Sequence, residues 1–168
     1  DFDRDGKVSA AGEVSAALLA YLRGESAAFL ARSPPRSAGY DDFGPPLAER
    51  AAAAFAGLPP ADRVRTAVEF TALTLAEAFG AHVLPAHPRL RRGMATGGGA
   101  RNPTLLGRIR AALGAGGLQV EVPSEAWVDG KEAVAFAILA DRTVRGLPGN
   151  APGATGATRP VVLGRISV

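Results

Sequence analysis

Residues 96–103 read TGGGARNP. Gly97, Gly98 and Gly99 follow a short apolar stretch at 93–96 and lead into Asn102-Pro103. Asn is a favoured helix N-cap because its side-chain oxygen accepts from an amide of the first turn. Pro at the next position loses no helical hydrogen bond and already has a helical φ. The order predicts a short buried strand over 93–96, a glycine turn, and a capped helix. The apolar face of that helix would be Leu105, Leu106, Ile109, Ala112 and Leu113. Glycines let a ligand approach the backbone, and the unpaired amides at a helix start attract anions and polar rings. The residues alone leave two readings open, a nucleotide or phosphate site and a plain tight turn. A Walker loop is excluded because no Lys-Ser/Thr pair follows, and the G-x-G-x-x-G dinucleotide spacing is absent.

Downstream, LQVEV at 118–122 alternates with period two and reads as a strand. Asp129 with Glu132 three places on has the form of a capping box for a helix through KEAVAFAILADRTV, which is apolar on most sides and so expected to be buried. GLPGNAPGATGA is a loop and VVLGRISV, 161–168, a final strand. Strand–helix–strand–helix–strand over 93–168 implies an α/β layer with helices packed on a sheet.

Upstream, residues 9–23 read as an amphipathic helix with Val14, Leu18, Tyr21 and Leu22 on one face. The Pro- and Gly-rich segment 31–46 reads as an irregular loop. An Ala-rich helix is expected over 47–56 and a longer one near 60–80. The inner face of the longer helix would be Val64, Ala67, Val68, Thr71, Leu75 and Phe79.

The first eight residues, DFDRDGKV, place Asp1, Asp3 and Asp5 ahead of Gly6, like the start of a helix–loop–helix calcium loop. Position 12 of such a loop must be a bidentate Glu, but Gly12 stands there and Glu13 is one place late. The competing reading is a polar turn, capped by aspartates, that feeds the following helix.

The 168 residues suit one domain, with a core of Ala, Val and Leu because aromatic residues make up only 6%. No cysteine is present, which rules out disulfides and thiolate metal sites and suits a cytoplasmic protein. A net charge of +3, with Arg89, Arg91 and Arg92 as the one basic cluster and no interleaved aromatics, argues against a nucleic-acid partner. No apolar run approaches the ~20 residues of a membrane span. His82 and His87 lack a carboxylate at metal-site spacing, so no metal site is expected. Ser33, Ser37 and Ser124 have no identifiable base, so no hydrolase triad is supported.

Taken in order, these segments resemble the C-terminal half of the anhydro-N-acetylmuramic acid kinases, sugar kinases of the actin/hexokinase/Hsp70 superfamily. The resemblance covers DFDRDGKVSAAGEV, SPPRSAGYDDF, DRVRTAVEFTALTLAEAF, GGGARNPTLLGRI, and the run KEAVAFAILADRTVRGLPGNAPGATGA with VVLGRI. The glycine motif is shared by many sugar kinases; the KEA-to-TGA run is the more specific.

The resemblance implies a ribonuclease H-like (actin-like ATPase) α/β lobe spanning 1–168, incomplete without an N-terminal half. It implies an enzyme that uses ATP, Mg2+ and water to convert 1,6-anhydro-N-acetylmuramic acid to N-acetylmuramic acid 6-phosphate and ADP in cell-wall recycling and amino-sugar catabolism. The phosphate loop, the catalytic Asp and most sugar contacts would lie in the N-terminal half. This chain would supply Gly97, Gly98, Gly99 and Asn102 around the nucleotide, with Glu132, Arg36 and Ser37 as further ligand-side candidates. Partners would be a nucleotide and an amino sugar, with a homodimer as one form of assembly. Another sugar kinase of the superfamily and a calcium module are the alternatives. Three departures stand out: Arg36 where Lys is usual, Ala38 where Thr is usual, and a shortened connection over 124–132. The chain has no initiator Met and begins inside a motif, as expected of a fragment inactive on its own.

Overall fold

A computed structural model describes residues 2–166; Asp1, Ser167 and Val168 lie outside the described residues. The chain forms two compact units, Asp1–Arg32 with Ala38–Pro123, and Ser33–Ser37 with Ser124–Val168.

The first unit is organised around helix α6, Pro60–Ala78, which runs on through a π turn at Phe79–Val83. Pro at its first position and Asp62 in its first turn suit a helix start. The expected helix over 9–23 is instead two, α1 Lys7–Ala10 and α2 Ala16–Glu25. Gly12 lies so close to α6 that a Cβ there would sit 2.2 Å from the Ala61 carbonyl oxygen. The chain turns at this contact. Glu13 N donates to Asp62 Oδ1 (2.8 Å) and Ser15 N to Thr66 Oγ1 (2.9 Å). The Ser15 hydroxyl then caps α2 by accepting from Leu18 N.

A short helix α3, Ala27–Leu30, follows. The loop expected over 31–46 contains one helical turn, α4 Tyr40–Phe43, before α5, Pro45–Ala54. Leu18, Leu22, Leu47, Ala51 and Phe70 form one buried cluster, with Tyr21 edge-on to Phe55 at 5.5 Å. Each buried leucine contributes roughly 2 kcal/mol.

Beyond α6 lie strand β1 (Arg92–Met94), helix α7 (Pro103–Gly114) and strand β2 (Gln119–Glu121). β1 and β2 are parallel, with Gly93 opposite Val120. β1 is less buried than its apolar sequence suggests: Met94 is exposed, and Gly93, with Leu118 beneath it, is half-buried. Leu106 and Leu113 of α7 are buried and Leu105, Ile109 and Ala112 half-buried, as the spacing predicts.

On α6 the buried set is Thr66, Val68, Glu69, Phe70 and Ala72, whereas Ala67 and Thr71 are exposed. The helix packs against α1 and α2 and also against α7. Its inward arc is therefore wider than one apolar stripe and takes in polar residues that have partners. Glu69 is the clearest case: Arg108 of α7 grips it with two bonds of 2.6 Å. That grip, against the opposing cost of burial, holds the Glu69 carboxyl below the usual range.

In the second unit α8 spans Glu125–Val144, starting at Ser124 instead of the expected Asp129. Asp129 and Glu132 are thus interior helical positions, and the capping box does not form. Glu125 in the first turn favours this earlier start. The helix is not buried: Trp127, Val134, Phe136, Ile138 and Val144 are exposed. Within its unit Gly149 fits against Leu139 and Leu163, and Gly164 against Thr143.

The described part of 161–168 is not a strand. Val161 N donates to Asn150 Oδ1 (2.7 Å), Gly149 N donates to Val161 O (2.9 Å), and Thr143 Oγ1 donates to Leu163 O. Loop and helix side chains take up hydrogen bonds that a neighbouring strand would have formed. Helix α9, Pro152–Thr155, completes the unit.

Arg108→Ala leaves the Glu69 carboxylate buried without its partner. A loss of about 2–3 kcal/mol is expected in urea unfolding at pH 7, below the full value for a buried pair because Arg108 is partly exposed. The lowered pKa of Glu69 makes the pair fully stabilising above the usual glutamate range, with the contribution lost as pH falls through the folded-state value. Stability of the variant should therefore fall less steeply on acidification than that of the parent.

Candidate functional site

The glycine segment forms an open turn between β1 and α7. Ala95 N extends the sheet by donating to Glu121 O (2.9 Å). Gly97 then takes φ +85° and ψ −178°, a conformation accessible essentially only to glycine. Gly98–Arg101 is one turn of 3-10 helix, whose first bond runs from Ala100 N to Gly97 O (3.1 Å). The amides of Gly98 and Gly99 come before that bond and so have no acceptor within the turn. A Cβ at Gly97 or Gly98 would meet nothing within 4 Å. Asn102 and Pro103 start α7 as expected, with Asn102 Oδ1 accepting from Leu105 N (3.0 Å). The result is an exposed glycine turn, with two amides that have no acceptor within the turn, directly ahead of a capped helix of 12 residues.

DFDRDG packs against this helix start. Asp5 and Gly6 take consecutive left-handed conformations, φ +57° and +67°. The turn aims the Asp3 carboxylate inward. Oδ1 accepts from Val8 N (2.8 Å). Oδ2 accepts from Ser9 Oγ (2.6 Å), Ser9 N (3.2 Å) and Asn102 Nδ2 (3.2 Å). The Gly6 carbonyl accepts from Ser9 Oγ and Thr104 Oγ1, each at 3.1 Å. A Cβ on Gly6 would lie 2.3 Å from Asn102 Oδ1.

Burial pushes the Asp3 pKa up. The Ser9 hydroxyl and the amides of Val8, Ser9 and Asn102 together outweigh it and hold the carboxyl below its usual value. Asp3 therefore caps the following helix, as one sequence reading has it. Asp3 also grips a helix far along the chain, which the sequence reading missed and no local motif marks.

Calcium ligation does not fit this geometry. Asp3 is turned onto protein donors, Asp5 pairs with Lys7 at 3.6 Å on the surface, and Asp1 lies outside the described residues.

Gly97, Gly98, Gly99 and Asn102 share one turn of the first unit. Glu132, Arg36 and Ser37 belong to the second. There Pro35 lies beside Gly156, joining the PPRS segment to the TGA turn. Arg36 is half-buried; Ser37 and Glu132 are exposed. His82 and His87 are exposed near the π turn, and Ser124 is the N-cap of α8. Among the described residues no group of three His, Asp or Glu side chains converges, so they do not by themselves make a metal site. The open glycine backbone does suit a nucleotide, whose approach a side chain would obstruct.

The family model for anhydro-N-acetylmuramic acid kinase matches residues 1–168. Curated proteins with that name are similar throughout: 39% identical in Streptomyces coelicolor, 41% in Xanthomonas campestris pv. campestris and 38% in Vibrio cholerae. These matches cover 98–99% of the chain but only 40–43% of each relative, so the chain spans about two fifths of their length.

Gly6→Ala would combine left-handed strain with displacement of the Asn102 cap. It should lower the urea midpoint by the equivalent of about 2–3 kcal/mol. Gly98→Ala, with open space around it, should change the midpoint little.

Proposed function

The chain belongs to the anhydro-N-acetylmuramic acid kinase family, and from that premise we propose that it forms the nucleotide side of the cleft in such an enzyme. Its place is the C-terminal part of a two-lobed, ribonuclease H-like sugar kinase. The observation that carries this reading is the glycine turn, with two amides free of helical acceptors beside an open backbone at a capped helix start.

In the proposed reaction water adds to the anomeric carbon of 1,6-anhydro-N-acetylmuramic acid and the 1,6 bridge opens. The γ-phosphoryl group of ATP passes to the sugar's 6-oxygen and ADP leaves. Phosphoryl transfer depends mostly on positioning and charge neutralisation. This chain's part would be to hold the adenosine and α-phosphate with Gly97, Gly98 and Gly99. Asn102 fixes the turn through its cap and lies at the same site. Glu132, Arg36 and Ser37 are proposed as further ligand-side residues. Mg2+ would neutralise the phosphates, its ligands being the phosphates themselves and residues of the other part of the enzyme. The chemistry consumes a cytoplasmic nucleotide and returns a cell-wall sugar to metabolism.

The test uses the complete natural polypeptide containing these residues, with ADP release followed in the presence of 1,6-anhydro-N-acetylmuramic acid, glucose or N-acetylglucosamine. Turnover confined to the anhydro sugar is expected; equal turnover of glucose would assign the chain to another sugar kinase. Gly98→Val, which fills the open space, should raise the KM for ATP at least about tenfold and leave the KM for the sugar unchanged. An unchanged KM for ATP would refute the nucleotide assignment. Residues 1–168 alone should show no turnover.

A further inference from the structure

The Asp3 cluster lies outside the turn to which the nucleotide is assigned, yet it is built into the support of that turn. Its connections run through one side chain. Asn102 Oδ1 accepts from Leu105 N, so the amide's NH2 must point the other way, where Asp3 Oδ2 receives it at 3.2 Å. An amide side chain can be reversed with little change of shape, and it is the surrounding hydrogen bonds that select its orientation. With Asp3 ionised and accepting, only the observed orientation places an oxygen toward the helix. Thr104 adds a second tie, donating to the Gly6 carbonyl at 3.1 Å. The absence of a side chain at Gly6 is what allows Asn102 to approach. Asn102 and Thr104 flank Pro103 at the start of α7, and Asn102 N donates back to Gly99 O (3.1 Å). Asn102 thus ties Asp3 to Gly99, the first through its side-chain amide and the second through its backbone N–H.

We propose that Asp3 is a positioning residue for nucleotide binding: through Asn102 it sets the register in which the amides of Gly98 and Gly99 meet the ligand. The proposal rests on the nucleotide reading of the glycine turn. Asp3 does not itself touch the ligand. Its carboxylate is occupied by protein donors, and Ser9 holds it in place from the other side. The left-handed Asp5-Gly6 pair makes the turn narrow enough for one carboxylate to cap α1 and reach α7.

The experiment uses the complete natural polypeptide. Binding of a non-hydrolysable ATP analogue is measured well below the melting temperature, together with both KM values and the melting temperature itself. Asp3→Asn puts an NH2 where an acceptor stood, so it should weaken analogue binding by roughly tenfold, about the contribution of one charge-assisted hydrogen bond. The KM for the sugar should stay within twofold. Asn102→Asp alone sets two carboxylates face to face and should weaken analogue binding at least as much. Joining it to Asp3→Asn removes the repulsion and lets the side chain at position 3 donate to that at 102, so part of the affinity should return, the remainder being lost because Ser9 N then faces a donor. Ser9→Ala removes one donor and provides a milder variant if Asp3→Asn does not fold; about threefold weaker analogue binding is expected.

A lower melting temperature with analogue binding unchanged, or equal loss toward nucleotide and sugar, would overturn the positioning role. So would a double variant no better than Asn102→Asp. Gly98→Val serves as the control for the underlying reading. If it leaves analogue binding intact, the nucleotide assignment fails and the proposal with it. If Gly98→Val weakens binding while the Asp3 and Ser9 variants do not, only the positioning role fails.

Discussion

A carboxylate partly withdrawn from water is stabilised by the donors around it, and Asp3 finds its donors both close by, in Val8 and Ser9, and 99 positions away, in Asn102. Val8 and Ser9 come from the helix that Asp3 begins, and Asn102 from the start of α7. Satisfying the charge therefore joins the first turn of the chain to the turn that follows β1. With that joint in place, α1 lies across α6, and the Gly12 contact and the Thr66 and Asp62 bonds hold it there. The Glu69–Arg108 pair joins the opposite flank of α6 to α7. The polar side chains buried in the first unit are mostly those that define how its helices meet.

That division explains what was legible in the sequence. Asn102-Pro103 signals a helix start through interactions within four residues, and the structure begins α7 there. Gly97 marks a special backbone conformation, and it has one. Thr66 and Glu69 break the apolar stripe of α6, so periodicity assigns the inner face to Ala67 and Thr71, which are exposed. Their burial depends on Ser15 and on Arg108, partners too distant in sequence for any local pattern to indicate. The break at Gly12 has the same origin: the amphipathic spacing of Leu18, Tyr21 and Leu22 holds within α2, but a close backbone contact with Ala61 interrupts the expected helix, and Val14 is left ahead of α2 and exposed.

The second unit shows the other limit. The apolar residues of α8 predict burial; the 148–149 and 161–164 segments do lie against it, yet Trp127, Val134, Phe136 and Ile138 are exposed. Hydrophobic composition indicates that a surface favours being covered; it does not say by what. Asp129 and Glu132 have the spacing of a capping box, yet Ser124, ahead of Asp129 in the chain, already starts the helix. For the candidate site, the glycine turn was legible as a possibility for ligand binding and the aspartate motif as a turn. Their union was not, because it depends on tertiary contact alone.

The most direct test of that union is site-resolved amide hydrogen exchange at Val8 and Leu105, comparing the natural protein with Asp3→Ala. Val8 N bonds to Asp3 directly, whereas Leu105 N bonds to Asn102, which Asp3 orients. Loss of protection at both amides, with the interior of α6 unaffected, is the expected result. Faster exchange at Val8 with Leu105 unchanged would contradict it, leaving the aspartate turn as no more than the cap of its own helix.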